Sequence, residues 1–126
     1  MVDQNPITQV LTEMNQKGNF SAATLSSRDG LLVAASSTNG NDPSKQSAVV
    51  AKLAEAANLV RSQLSIGDPV ELSFHTRDGR RLICKPFDLN GHEMILAIVV
   101  PKRGQPYRRV TSQAIARLRS VWQVPR

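Results

Sequence analysis

The sequence predicts an α+β fold in which a five-stranded antiparallel sheet lies between helices, in the order α-β-β-α-β-β-β-α. Three segments repeat apolar residues at helical spacing, and the strand-like segments between them come in pairs joined by Asp-Gly or Asn-Gly turns. Residues 93–100 are nearly all apolar, so this strand should lie in the centre of the sheet with both faces covered. Helices on both faces of an antiparallel sheet follow from these observations.

The first helix is predicted to begin at Pro6, after the favourable N-cap residue Asn5, and to end at Gly18. Two strands, residues 20–27 and 31–37, should follow as a hairpin. The core side of the helix repeats at i, i+3, i+4 and i+7, with Ile7, Val10, Leu11 and Met14.

A long helix is predicted over residues 42–64, with Asp42 as N-cap and with Gly67 and Pro69 as stop signals. One side carries a stripe that we expect to face the core, namely Val49, Leu53, Ala56, Ala57, Val60 and Leu64. The opposite side carries small and polar residues with Leu59 beside them: Ala48, Ala51, Glu55, Asn58 and Ser62. This second side is either an ordinary exposed helical face with one scattered leucine or a contact face.

The rest of the chain is predicted as three strands, residues 70–76, 80–87 and 93–100, and a last helix over residues 107–122. In the first of these strands, Val70, Leu72 and Phe74 should form one buried face. The last helix has an apolar side formed by Tyr107, Val110, Ala114, Ile115, Leu118, Val121 and Trp122.

Composition suggests one cytoplasmic domain of 126 residues with an uneven distribution of charge. The N-terminal residues lack a signal pattern, no apolar run is long enough to span a membrane, and the single cysteine fits a reducing compartment. The net charge is +6, and residues 68–126 hold eleven basic against five acidic residues. A solvated basic face is the simpler interpretation of this asymmetry, and an anionic ligand is the alternative.

The residues that could support catalysis are few, so we expect no catalytic site, no metal and no cofactor. A phosphate-binding Gly-x4-Gly-Lys-Ser/Thr loop is absent from the sequence, and His92-Glu93 begins a zinc-protease motif that fails at Leu96. His75, His92 and Cys84 are too few for a tetrahedral zinc site. Cys84 is best interpreted as a small buried residue in a strand.

Residues 22–34, with the run Asp29-Gly30-Leu31-Leu32-Val33-Ala34 at their end, followed by the long helix, resemble the Roadblock/LC7 family (dynein light chain roadblock-type). The resemblance covers essentially the whole chain and is to a small prokaryotic member. Longin-like and profilin-like folds share the same architecture of three helices and five strands.

The resemblance implies a non-enzymatic homodimer. In such proteins an edge strand, here residues 70–76, pairs with its copy, the long helices lie side by side, and a small Ras-like GTPase docks on the joined helices. The family members activate or scaffold that GTPase. The interface residues expected on this basis are Ala48, Ala51, Lys52, Glu55, Leu59 and Ser62 in the helix and Glu71, Ser73 and His75 in the strand.

Two other function classes stay open. A profilin-like sensor of a small ligand lacks a visible set of convergent polar residues. A nucleic-acid-binding module could use nine basic residues, although Tyr107 and Trp122 fall on the apolar stripe and are not interleaved with them. These basic residues are Arg80, Arg81, Lys85, Lys102, Arg103, Arg108, Arg109, Arg117 and Arg119.

Arg28 and Arg77 occupy the predicted hairpin tips, where an arginine could project towards a GTPase and stabilise transition-state charge. The simpler expectation is that both are solvated beside Asp29 and Asp78.

Overall fold

The computed structural model describes residues 5–38, 40 and 42–122. The predicted α+β class and element order are confirmed. The expectation that no signal segment is present rests on residues 1–9, of which residues 1–4 lie outside the described ranges. The elements are α1 (Pro6–Gly18), β1 (Ala22–Ser27), β2 (Leu32–Ser37), α2 (Pro43–Leu64), β3 (Leu72–His75), β4 (Arg81–Leu89), β5 (His92–Val100) and α3 (Arg108–Val121).

The five strands form one antiparallel sheet in the order β2-β1-β5-β4-β3. The apolar strand β5 is central, as predicted, and Ile98 lies between Ala23 of β1 and Ile83 of β4. Residues of α1 and α3 pack in one core cluster, whereas Val50 and Ala54 of α2 belong to a second cluster. The helices therefore cover opposite faces of the sheet, two on one side and α2 alone on the other.

Local capping chemistry explains where the first two helices start. The Asn5 Oδ1 atom accepts a hydrogen bond from Ile7 N at 3.0 Å, and Asp42 Oδ1 accepts one from Ser44 N at 2.9 Å. Gly18 is the last residue of α1, and a Cβ atom there would lie 2.4 Å from the ring of Phe20. Only glycine therefore lets the buried phenyl ring pack directly on the helix end.

The predicted core side of α3 is confirmed. Its residues Ala114, Ile115 and Leu118 are buried, and Tyr107 is buried immediately before the helix. Val110, Val121 and Trp122 are partly buried against the same cluster.

The predicted core stripe of α2 is wrong for four of its six members, because Val49, Ala56, Val60 and Leu64 are exposed, whereas Leu53 and Ala57 are half-buried. The helix buries Ser47, Val50 and Ala54, whereas Val49 is 50% exposed and Leu64 is 65% exposed. The buried side is displaced by one residue, or roughly 100° around the helix axis. Small side chains explain which side of α2 is buried, because Ser47 and Ala54 let the helix approach the sheet closely.

The predicted buried face of the strand before Thr76 is wrong at two of its three members. Val70 and Phe74 are exposed and Leu72 is only half-buried. The regular strand is shorter than predicted, covering only Leu72–His75.

Candidate interaction surface

An apolar strip runs along α2 and continues onto the edge of the sheet. We define it as Val49, Leu53, Val60 and Leu64 of α2 together with Phe74 of β3. Leu53, Leu72 and Leu82 pack against the same buried cluster, so this side of the helix faces the β3–β4 edge of the sheet. Phe74 pairs in register with Leu82, which places its ring on the same face of the sheet as α2. Four of the five members of the apolar strip are more than two-fifths exposed, namely Val49, Val60, Leu64 and Phe74.

The strip ends at an open strand edge. In the described sheet β3 is an outer strand whose one neighbour is β4. An outer strand presents a row of backbone N–H and C=O groups that another strand can pair with. An apolar strip next to such an edge is typical of a protein–protein contact.

The helical residues expected at an interface form a second surface, next to the strip. Ala48, Lys52, Glu55, Leu59 and Ser62 are exposed. Lys52 Nζ lies 3.4 Å from Glu55 Oε2, so part of this surface is a solvated ion pair.

Ala51 is half-buried, because the tip of the β1–β2 hairpin reaches this side of α2. A Cβ atom at Gly30 would lie 2.9 Å from Ala51 Cβ. A groove separates the hairpin from the helix, and its lining includes Ala48, Lys52 and Glu55. Small residues at positions 48 and 51 therefore keep this groove open.

The three strand residues expected at an interface lie around β3 as predicted, but their side chains have other contacts. Tyr107 Oη donates a hydrogen bond to Glu71 Oε2 at 2.7 Å. Burial and the Glu71 carboxylate raise the pKa of Tyr107. Ser73 Oγ and His75 Nε2 lie 3.1 Å apart and both residues are exposed. Glu71 therefore ties the edge strand to the start of α3.

Arg28 is not a free arginine at a hairpin tip, so the expectation that it is solvated beside Asp29 is wrong. Its Nη1 atom lies 2.7 Å from Glu93 Oε1, and Nη2 donates a hydrogen bond to Asn58 Oδ1. One guanidinium thus joins the hairpin to α2 and to β5. Arg77, at the tip of the β3–β4 hairpin, is exposed as expected.

A cavity of about 280 Å³ lies beside Arg28, between the second half of α2 and strands β4 and β5. Its walls include Ala54, Leu72 and Ile95, and Asn58 and Glu93 lie at its polar side. These two polar residues already bind Arg28. The cavity is therefore a weak candidate for a small polar ligand.

The described residues contain no group of three His, Cys, Asp or Glu side chains placed to hold a metal ion. Cys84 is buried under α2, and burial raises the pKa of its thiol to about 12. Among the described helices, none is long and apolar enough to cross a membrane.

Sequence reasoning missed the exposed strip because it assigned Val49, Val60, Leu64 and Phe74 to the core. A signal for the correct answer was present on the helix. The small residues Ser47 and Ala54 form a side that can lie close to a sheet, and the larger residues form a different side.

Solved structures share this architecture, although no protein-family model and no curated protein matches the sequence. MglB of Myxococcus xanthus superposes with a TM-score of 0.77 at 12% identity, covering 95% of this chain and 97% of that one. The gliding protein MglB of Thermus thermophilus gives a TM-score of 0.72 at 15% identity, over 96% and 93% of the two chains. A Roadblock/LC7 domain of Streptomyces avermitilis gives 0.66 at 20% identity, over 90% and 92%. The chain has the fold of a Roadblock/LC7-type domain.

Proposed function

We propose that this protein is a homodimer, joined through β3 and the apolar strip, that binds and regulates a small Ras-like GTPase. The exposed strip beside an open strand edge carries the dimer proposal. If two β3 strands pair antiparallel about a two-fold axis, each edge is satisfied by its copy and the same residues meet from both sides.

The strip offers a substantial gain on association. Full burial of a valine, leucine or phenylalanine side chain is worth about 1.5–3 kcal/mol, and Val60 and Leu64 are still 44% and 65% exposed. Each copy contributes these residues once, so the apolar gain is doubled in a symmetric dimer.

The GTPase proposal rests on the Roadblock/LC7-type fold and on the second surface of α2. This surface stays accessible when the strip is covered, because Lys52, Glu55 and Leu59 project from a different side of the helix. Leu59 supplies an apolar anchor among small and charged neighbours. The proposed action is binding without catalysis by this chain, at the helical face.

The first experiment is solution mass by light scattering over a range of protein concentrations. A constant mass of twice 13.8 kDa is expected. A monomer at high concentration would contradict the dimer.

The second experiment uses a purified small Ras-like GTPase and measures both binding and GTP hydrolysis. Leu59→Asp should weaken GTPase binding at least about tenfold while the far-ultraviolet circular dichroism spectrum stays unchanged, because the side chain lies outside the core. Leu31→Asp, at an exposed leucine that is not part of α2, is the matched control. Unchanged binding by Leu59→Asp would show that the GTPase does not use this surface.

A variant at Arg77 decides between action from the helical face and an inserted arginine. The Arg77→Ala protein should bind the GTPase normally, and the GTP hydrolysis rate should be the same as with the unaltered protein. Normal binding with lost stimulation would instead identify Arg77 as a residue acting on the GTPase's transition state.

A further inference from the structure

Three segments that carry seven basic residues come together at one end of the sheet. Arg103 Nη2 donates a hydrogen bond to the Arg77 carbonyl at 2.6 Å, which joins the β5–α3 loop to the tip of the β3–β4 hairpin. The guanidinium groups of Arg81 and Arg108 lie 5.4 and 4.9 Å from the ring centre of Tyr107. We define the basic cluster as Arg77, Arg80, Arg81, Lys102, Arg103, Arg108 and Arg109.

The charge in this cluster is poorly balanced. Arg80 is neutralised by Asp78 at 2.8 Å, and hydrogen bonds from Thr76 and Arg80 hold the pKa of Asp78 well below its usual range. Arg108 lies 3.8 Å from Glu71. The other five members form no ion pair with an acidic residue in the described ranges, and they are Arg77, Arg81, Lys102, Arg103 and Arg109.

Both loops of the cluster are held in place. A Cβ atom at Gly79, where φ is +93°, would lie 2.7 Å from Arg103 Cβ, so the hairpin tip and the loop pack directly against each other. Arg81 Nη2 donates to the Gln105 carbonyl at 2.6 Å, and Gln105 Nε2 donates to the Gly18 carbonyl at 2.6 Å. These contacts hold like charges close together, so the positive side chains repel one another. An anionic partner would offset that repulsion.

We propose that the basic cluster binds the phosphate backbone of double-stranded nucleic acid without reading its sequence. Six of the seven members are arginine, whose planar guanidinium group can bind two phosphate oxygens at once. Closely spaced cations suit the regular line of phosphates along a duplex.

The surroundings of the cluster favour a duplex backbone over other anionic partners. Tyr107 is buried beneath Arg81 and Arg108, so its ring is covered and cannot stack on an unpaired base. All seven members of the cluster are charged and none is apolar, so a lipid bilayer would gain only electrostatic contact from the cluster itself.

The nine basic residues that the sequence offers for nucleic-acid binding do not all lie in the basic cluster. Arg117 pairs with Glu13, and Arg119 Nε donates to the Asp88 carbonyl at 3.1 Å near the opposite end of the sheet. Lys85 is half-buried within β4. The remaining six belong to the cluster, and Arg77 joins them.

This proposal does not rest on GTPase binding, and fluorescence anisotropy of a labelled DNA duplex of about 20 base pairs tests it directly. The logarithm of the binding constant should fall with the logarithm of the salt concentration with a slope of about −4.5, for five unpaired cations. A second duplex of unrelated sequence should bind equally well.

The decisive variant is Lys102→Gln with Arg109→Gln, because both side chains are exposed and the turn and helix around them are held by other groups. The slope of the logarithm of the binding constant against the logarithm of the salt concentration should become less negative by about 2. Affinity at low salt should fall at least about tenfold. Arg61→Gln with Arg119→Gln removes the same charge away from the cluster and should keep the wild-type slope.

Three results would overturn the proposal. One is flat anisotropy at low salt. Another is an equal loss of affinity in the two double variants, which would indicate net charge alone. The third is binding to vesicles containing about 30% phosphatidylserine with no binding to the duplex, which would assign the cluster to an anionic membrane.

Discussion

The helices α2 and α3 carry apolar sides of similar length but use them differently. The apolar side of α3 lies against the sheet and α1, and Leu118 is fully buried. The larger apolar residues of α2, such as Val49 and Leu64, remain exposed while small residues contact the sheet. An apolar stripe at helical spacing therefore predicts that a surface is to be covered, but it does not say whether the cover comes from the same chain.

The largest expected effect on folding is at α3. Leu118→Ala should lower the free energy of unfolding by about 2–5 kcal/mol, because it leaves a cavity in the core. Urea unfolding followed by circular dichroism measures this loss. Leu59→Ala, an equal truncation at an exposed site of α2, should change it by less than about 1 kcal/mol. Similar losses in the two variants would contradict the contrast between the helices.

The next effect concerns association. Phe74→Asp should raise the dimer dissociation constant at least about a hundredfold, or about 2.8 kcal/mol, since it places a charge in the apolar strip. The mass from light scattering should fall to that of one chain while the circular dichroism spectrum is preserved. Leu31→Asp adds the same charge outside the strip and should remain dimeric. A dimeric Phe74→Asp protein would exclude β3 from the interface.

A smaller effect is expected at the Arg28 contacts. Arg28→Gln should lower the free energy of unfolding by less than about 1 kcal/mol, because the pair with Glu93 is substantially exposed to solvent. Amide hydrogen exchange should accelerate at the tip of the β1–β2 hairpin, which loses its link to Asn58. Arg77→Ala, at the other hairpin tip, is the control and should leave that exchange unchanged.

The smallest effect tests how well α2 covers the sheet. Burial raises the pKa of Cys84 to about 12, so its thiol should stay protonated at about pH 8 and react slowly with a disulfide reagent. Above about pH 9 the thiol of the unfolded chain loses its proton, whereas the folded chain keeps it. The free energy of unfolding should therefore fall as pH rises from about 9 towards 12. Rapid labelling of the native protein under these conditions would show that α2 opens readily.

Much of the fold could be predicted because its signals are local. Asn5 and Asp42 cap helices through atoms two residues away, and Asp-Gly turns specify hairpins within four residues. The position of β5 in the centre of the sheet followed from its composition alone. Local chemistry therefore determined the element order, most boundaries and the covered central strand.

Tertiary structure decided the surfaces. Arg28 meets Asn58 and Glu93, which are 30 and 65 residues away, and the basic cluster joins residues 77–81 to residues 102–109. The burial of Val50 and the exposure of Val49 depend on how closely α2 can approach the sheet, and small side chains permit the closer approach. Periodicity identifies the sides of a helix, but only packing in three dimensions decides which side is buried.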